Sequence, residues 1–370
     1  MFGARGTGKT SLLKQRYSSG KNWHIDLLDH DLARKYLLEP NTLFYEWQAM
    51  VKKPELIILD EVQKIPSLLD LVHRMIEDHK QKFILSGSSA RKLKRGVSNL
   101  LAGRAFVYHL YPLTSKELAE VFSLDHALNW GTLPKLQDFI DPLNKREFLK
   151  AYANTYLWEE ILVEQIIRKL EPFQRFLPVA AQMAGRIINY SKIALEAGTS
   201  VPTIQSYFQI LEDTLLGFML PQFHESIRKR QKAAPKFYFI DSGIQRAILD
   251  ELSIAVRPKT YQFGCAFEQF VINELVREIS YGRRDYRLSY LQTGAGLEID
   301  LVVERPGMKR ALIEIKSNAM ITEKDLSALL TLGKDVPNSE RYCFSLDPTP
   351  KKLKGFSVYP GIRDWRRFSD

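Results

Sequence analysis

The sequence predicts an α/β chain: a parallel sheet with flanking helices, then a helix-turn-helix module, then a smaller α+β module. Three observations carry this expectation. A glycine-rich stretch, Gly3-Ala4-Arg5-Gly6-Thr7-Gly8-Lys9-Thr10, lies at the start. An apolar run, Leu56-Ile57-Ile58-Leu59, ends in Asp60-Glu61. Near the other end, apolar segments separated by glycine-containing turns carry Asp300, Glu314 and Lys316.

The first stretch reads G-x-x-x-x-G-K-[ST], the spacing of a phosphate-cradling P-loop. Gly3, Gly6 and Gly8 let the backbone turn several N–H groups toward one point, with Thr7 inside the bend. A helix starting near Lys9 and carrying Thr10 and Ser11 adds its positive end to that nest. Lys9 can then reach the β- and γ-phosphates of ATP, and the Thr10 hydroxyl can ligate Mg²⁺. Such a loop normally follows an apolar strand of about five residues. Only Met1 and Phe2 precede Gly3, so either the true start lies upstream or the first strand is truncated.

Helix is expected over Lys9–Tyr17 with Leu12 and Leu13 inward, and strand over Trp23–Leu28. The apolar run before Asp60 suits a strand buried on both faces of a parallel sheet. Its carboxylates emerge at the carboxyl end, where ligands bind in such sheets. Asp60 is expected to hold Mg²⁺ through water, and Glu61 to polarise the attacking water. The next strand, Phe83–Leu85, runs into Ser86-Gly87-Ser88-Ser89; either Ser86 or Ser88 can meet the phosphate or the water, or simply cap a turn. Arg91, Lys92, Lys94 and Arg95 follow, and then Gly103-Arg104 before an apolar strand at 105–110. Arg104 sits where oligomeric ATPases place an arginine finger, which would require a homo-oligomer. A plain ion pair is the other reading of Arg104.

Gly3–Thr10, Leu56–Gln63, Leu85–Ser89, Gly103-Arg104 and Tyr111-Pro112-Leu113 resemble the prokaryotic AAA+-type P-loop ATPases that carry a restriction-endonuclease-like C-terminal domain. The resemblance implies ATP binding and hydrolysis over residues 1–140, with no assigned cellular role.

Residues 141–255 read as helical, with Phe148, Tyr152, Tyr156, Leu157 and Ile161 recurring at three- and four-residue spacing. Tyr190–Glu196, a turn at Gly198, and Ser200 capping Val201–Thr214 read as helix-turn-helix. Gly217–Leu220 and Phe237–Ile240 would form a hairpin tipped by Arg228, Lys229, Arg230, Lys232 and Lys236. Together they describe a winged helix with a basic wing. Such modules contact DNA phosphates or serve as protein-contact spacers.

Over residues 256–370, strands are expected at Arg287–Leu291, Leu297–Glu304 and Ala311–Lys316, after a helix Phe267–Val276 carrying Glu268. Alternation puts Glu314 and Lys316 on one face and Ile313 and Ile315 on the other. The Pro306-Gly307 turn returns the strand beside Asp300. Asp300 and Glu314 could then hold Mg²⁺ with a scissile phosphate, Lys316 could position the attacking water, and Glu268 could add an acceptor. This looks like the D…E-x-K core of the restriction-endonuclease-like fold. A fold that cuts and one that no longer cuts share the pattern.

The chain of 370 residues is 45% apolar with a net charge of +10. The basic balance favours a polyanionic partner, and DNA is the usual one. No apolar run approaches the roughly 18 residues of a membrane span. Cys265 and Cys343 form neither a disulfide framework nor a metal spacing, which makes a reducing cytoplasm the expected home.

Overall fold

The computed structural model describes residues 1–89, 105–156, 170–226, 230, 233–294, 296–353 and 356–360. Two compact units emerge, Met1–Tyr111 with Asp213–Leu216, and Pro112–Glu212 with Gly217–Asp370.

In the first unit a parallel sheet is built from β1 (Asn22–Asp26), β2 (Leu56–Asp60) and β3 (Phe83–Leu85), paired in that order. Ile57, Ile58 and Leu59 have no solvent exposure, as a central strand covered on both faces requires. Helices α1 (Lys9–Arg16), α2 (His30–Leu38), α3 (Thr42–Ala49) and α4 (Leu68–His79) flank the sheet. The apolar face of α4 puts Leu68, Leu69, Leu71, Val72 and Met75 into the core beside Ile57 and Leu59. Each such side chain contributes roughly 1.5–3 kcal/mol of transfer free energy.

The short start of the chain is paired on both sides. Phe2 bridges Gly87 and His109 in parallel, and its N–H donates to Tyr108 O at 2.7 Å. Leu110 N–H returns a bond to Phe2 O at 2.6 Å. Met1–Gly3 thus lie between the end of β3 and the segment 108–110, which places the glycine loop in the middle of the sheet's carboxyl edge. The segment expected as a strand at 105–110 pairs only at its end, and Phe106 and Val107 are exposed. In α1, Leu13 is buried but Leu12 faces solvent, because an eight-residue helix on a sheet buries one stripe and not two adjacent positions.

Gly3 shows how tightly the loop packs. A Cβ there would lie 2.5 Å from Leu110 O and 2.7 Å from Thr7 Oγ1. Gly3→Ala is therefore expected to lower unfolding stability by about 1–3 kcal/mol, measured by urea denaturation. An unchanged midpoint would show that the backbone there yields freely.

The second unit contains a helix-turn-helix. Helix α5 (Leu170–Gln182) precedes α6 (Tyr190–Ala197), which ends at Gly198 in the left-handed region, φ 66°. Ser200 Oγ accepts from Thr203 N–H at the start of α7 (Val201–Asp213). Ile204, Phe208 and Leu211 are buried along one side of α7. A hairpin of β4 (Gly217–Leu220) and β5 (Lys236–Phe239) follows. Of the expected basic tip, Arg228, Lys229 and Lys232 lie outside the described residues. Arg230 pairs with Glu304 at 2.9 Å, and Lys236 is only 3% exposed, within β5. Lys236 is thus an interior residue and not a wing-tip contact. Asp141 and Pro142 are the N-cap and first residue of the helix Pro142–Ala151.

Helix α8 (Ser242–Ile248) leads to α9 (Tyr261–Tyr281), which packs on a six-stranded sheet. The sheet holds β6 (Arg287–Gln292), β7 (Glu298–Glu304), β8 (Arg310–Lys316), β9 (Ser339–Ser345), β10 (Lys351–Leu353) and β11 (Phe356–Pro360). Their order is β10-β11-β9-β8-β7-β6. Strands β6, β7 and β8 are antiparallel, whereas β8, β9 and β11 run parallel. Phe263, Phe267, Phe270 and Val271 of α9 cover Leu301, Ile313 and Ile315, while Leu312 and Cys343 face the opposite core. Buried Arg277 locks α9 in place: it pairs with Glu274 at 3.1 Å and donates to the carbonyls of Leu113 and Ile240.

Candidate functional site

At the carboxyl edge of the first sheet, the loop Gly3–Gly8 and the end of β2 meet. Gly6 and Gly8 have φ of 80° and 89°, a region that costs other residues about 1–2 kcal/mol. Thr7 Oγ1 closes the bend on Ala4 O at 2.8 Å. Lys9, 5% exposed, donates to Gly3 O at 2.9 Å and Ala4 O at 3.3 Å, and lies 3.6 Å from Glu61. Thr10 Oγ1 donates to Asp60 Oδ2 at 2.5 Å. Ser11 follows on the exposed side of the first turn. These contacts bring the glycine loop, Lys9 and Thr10 together with Asp60 and Glu61 at one end of β2.

Two second-line contacts hold the acids. Ser86 Oγ donates to Asp60 Oδ1 and fixes that carboxylate. Ser86 has no exposure and orients Asp60 from within the sheet edge. Glu61 adopts φ 59°, a left-handed conformation rare for a side chain of its kind. The strain, of order 1–3 kcal/mol, is sustained by surrounding bonds. Gln63 Nε2 donates to Glu61 Oε2 at 2.5 Å and to Ser88 Oγ at 2.9 Å, and Ser88 N–H donates to Glu61 Oε2 at 3.3 Å. Gln63 received no role from the sequence, although its place two residues after Glu61 in a tight turn was the available signal. Arg104 and the basic run Arg91–Arg95 lie outside the described residues.

The donor set suits a magnesium nucleotide. Thr10 hydroxyl and Asp60 carboxylate are hard oxygen ligands of the kind Mg²⁺ prefers.

In the second unit Asp300, Glu314 and Lys316 come together as the alternation predicts. Lys316 Nζ donates to Glu314 Oε1 at 2.5 Å, and Asp300 Oδ2 accepts from Ile315 N–H at 2.7 Å. Glu314 Oε2 is buried without a hydrogen-bond partner among the described residues. Glu268 faces the same cluster from α9 and accepts from Tyr238 Oη at 2.6 Å. Two further residues join that sequence reasoning had not placed there: Lys236 Nζ lies 2.5 Å from Glu298 Oε1 and 3.8 Å from Glu268 Oε1.

Burial, and next the charge of Asp300, push Glu268 up to about 7 and Glu314 up to about 8. Burial also raises Asp300, against the pull of Lys316. Burial by itself would lower Lys236 and Lys316, but the facing carboxylates outweigh it and raise both. Among the described residues no three His, Cys, Asp or Glu side chains are grouped closely enough to hold a metal ion alone. A divalent ion at Asp300 and Glu314 would thus take further oxygens from water or a phosphate. The unpartnered Glu314 oxygen fits that role.

These shifts set a pH dependence. Glu268 and Glu314 hold protons in the folded chain that the unfolded chain has already released above its ordinary carboxylate range. Their contribution to stability is therefore full below about pH 4.5 and is lost as pH rises through 7 to 8. In EDTA, the urea midpoint of the parent relative to Glu314→Gln should fall between pH 5 and pH 8.5. A difference that stays flat would mean that Glu314 is ionised throughout.

Among the described residues no helix is long and apolar enough to cross a membrane. Residues 1–119 match the family model of an AAA domain. Residues 121–253 match a domain of unknown function (DUF8612), and residues 263–361 match another (DUF4143). An uncharacterized protein of Mycobacterium tuberculosis is 26% identical over 284 residues, covering 75% of this chain and 62% of the relative. Uncharacterized proteins of Haemophilus influenzae and Methanocaldococcus jannaschii are 22% and 24% identical, over 60% and 65% of this chain and 57% and 60% of their own lengths. The chain spans about three fifths of the length of these relatives. It carries an AAA domain at its N-terminal end and a DUF4143 domain at its C-terminal end.

Proposed function

We propose that the chain binds and hydrolyses ATP with Mg²⁺ and acts on or with DNA. The convergence of Lys9, Thr10, Asp60 and Glu61 at one sheet edge carries this reading. Lys9 would contact the β- and γ-phosphates, and the loop N–H groups would donate to phosphate oxygens. Thr10 and Asp60 would hold Mg²⁺, which neutralises charge on the transferring phosphoryl group when bound. Glu61, pinned by Gln63 and Ser88, would orient and polarise the attacking water. Arg104 would serve a neighbouring copy as an arginine finger.

The DNA part rests on the net charge of +10, the helix-turn-helix read as a winged helix, and the acidic cluster read as nuclease-like. Asp300 and Glu314 would hold a divalent ion against a scissile phosphate, and Lys316 would position water. A second reading is favoured by the ion pair at 2.5 Å between Lys316 and Glu314, which neutralises the cluster from within. In that reading the C-terminal domain binds a partner without cutting, and nucleotide binding sets an assembly state. ATP turnover measured with and without duplex DNA separates the two. Acceleration by DNA supports action on DNA; turnover indifferent to DNA, with no nicking in Mg²⁺ or Mn²⁺, supports the switch.

A further inference from the structure

Beside the acidic cluster lies a cavity of about 570 Å³, formed entirely within the second unit. Its size falls within the range of small-molecule sites, about 300–1,000 Å³. One wall is Glu268, which also faces Asp300 and Glu314, and another is Glu298, two positions before Asp300 on β7. Lys236 joins these two walls. The cavity therefore shares Glu268 with the cluster, while Asp300 and Glu314 lie outside its lining.

Its polarity is graded. At the rim, exposed Arg186 donates to Tyr261 Oη at 3.2 Å and lies over that ring at 5.7 Å. The 21-residue helix α9 starts at the same rim, with no acidic residue in its first turn. Inside are the acceptors Glu268 and Glu298. Also lining it is Gln269, 3% exposed, whose Nε2 is buried without a partner among the described residues. A buried amide donor left unpaired costs about 1–3 kcal/mol by general measure, so a partner there has something to offset.

We propose that this cavity receives one nucleoside phosphate unit of the nucleic-acid strand held at Asp300 and Glu314. The inference rests on reading that cluster as a phosphodiester site. The phosphate lies at the rim, where Arg186 and the start of α9 favour an anion. The base enters, because its edge presents both carbonyl acceptors for Gln269 and N–H donors for the glutamates. Tyr261 offers a face on which it can stack. An acyl or lipid ligand would leave the Gln269 amide without an acceptor.

The test uses the full chain in a Lys9→Ala background, so that the AAA domain does not take up the probe. Binding of the four deoxynucleoside 5′-monophosphates is followed by saturation-transfer NMR in EDTA. At least one should bind, with its base protons closest to the protein. Gln269→Leu and the surface change Arg186→Ala should each raise Kd at least tenfold in chains that still unfold cooperatively on heating. No binding by any of the four, or equal binding by parent and both variants, overturns the subsite. Preferential binding of a short peptide mixture over all four nucleotides overturns it too. Plasmid nicking with Mn²⁺ keeps the two readings apart. Nicking without nucleotide binding removes only the subsite. Nucleotide binding that Gln269→Leu abolishes, without nicking, supports the subsite and removes the cutting function of Asp300.

Discussion

Lys9→Ala should abolish ATP turnover, lowering kcat/KM by on the order of 10²-fold or more, the scale of losing one charge-stabilising donor at a transferring group. The expectation follows from placement. Lys9 is the buried cation at the loop, aimed between the Gly3 and Ala4 carbonyls and Glu61. No other described lysine is bonded to these loop carbonyls. Removing it also leaves Glu61 buried without its counter-charge, which can cost about 3–5 kcal/mol. Urea denaturation must therefore accompany the assay. Lys9→Arg supplies the second variant, since it keeps the charge but replaces a compact ammonium with a planar fork. Both variants should lose turnover while remaining folded. A folded Lys9→Ala chain as active as the parent would place ATP chemistry elsewhere.

Asp300→Asn should abolish nicking of supercoiled plasmid by the full chain in Mg²⁺ or Mn²⁺, a loss on the order of 10²-fold or more. The substitution keeps the shape and the acceptor for Ile315 N–H while removing the charge. It should also ease the repulsion that raises Glu268 and Glu314, so both carboxyls should titrate lower in the variant. That shift can be followed by NMR whether or not the chain cuts. Nicking that persists in Asp300→Asn would assign it to a contaminant or another site.

Where local rules govern, the sequence was legible. Glycine spacing in the loop follows from backbone turns that only glycine enters cheaply, and Gly6 and Gly8 adopt them. The apolar run of β2 announced a strand covered on both faces, and Glu314 and Lys316 share a face because strand side chains alternate. What escaped depended on distant partners. Lys236 reads as one more cation on a basic hairpin, yet its partner Glu298 lies 62 positions away. The bond from Ser86 to Asp60 was not legible either, because 26 positions separate them. Strand β9 went unread because its parallel pairing with β8 leaves no turn signal between the two.

The central claim is that one cleft, between the glycine bend and the acidic end of β2, takes a magnesium nucleotide. Calorimetric titration of the full chain with ATP, once in Mg²⁺ and once in EDTA, tests it most directly. Saturable binding near one nucleotide per chain, weakened in EDTA and lost in Lys9→Ala, is the expected result. Heat indistinguishable from dilution under both conditions, from a chain shown to be folded, would contradict it.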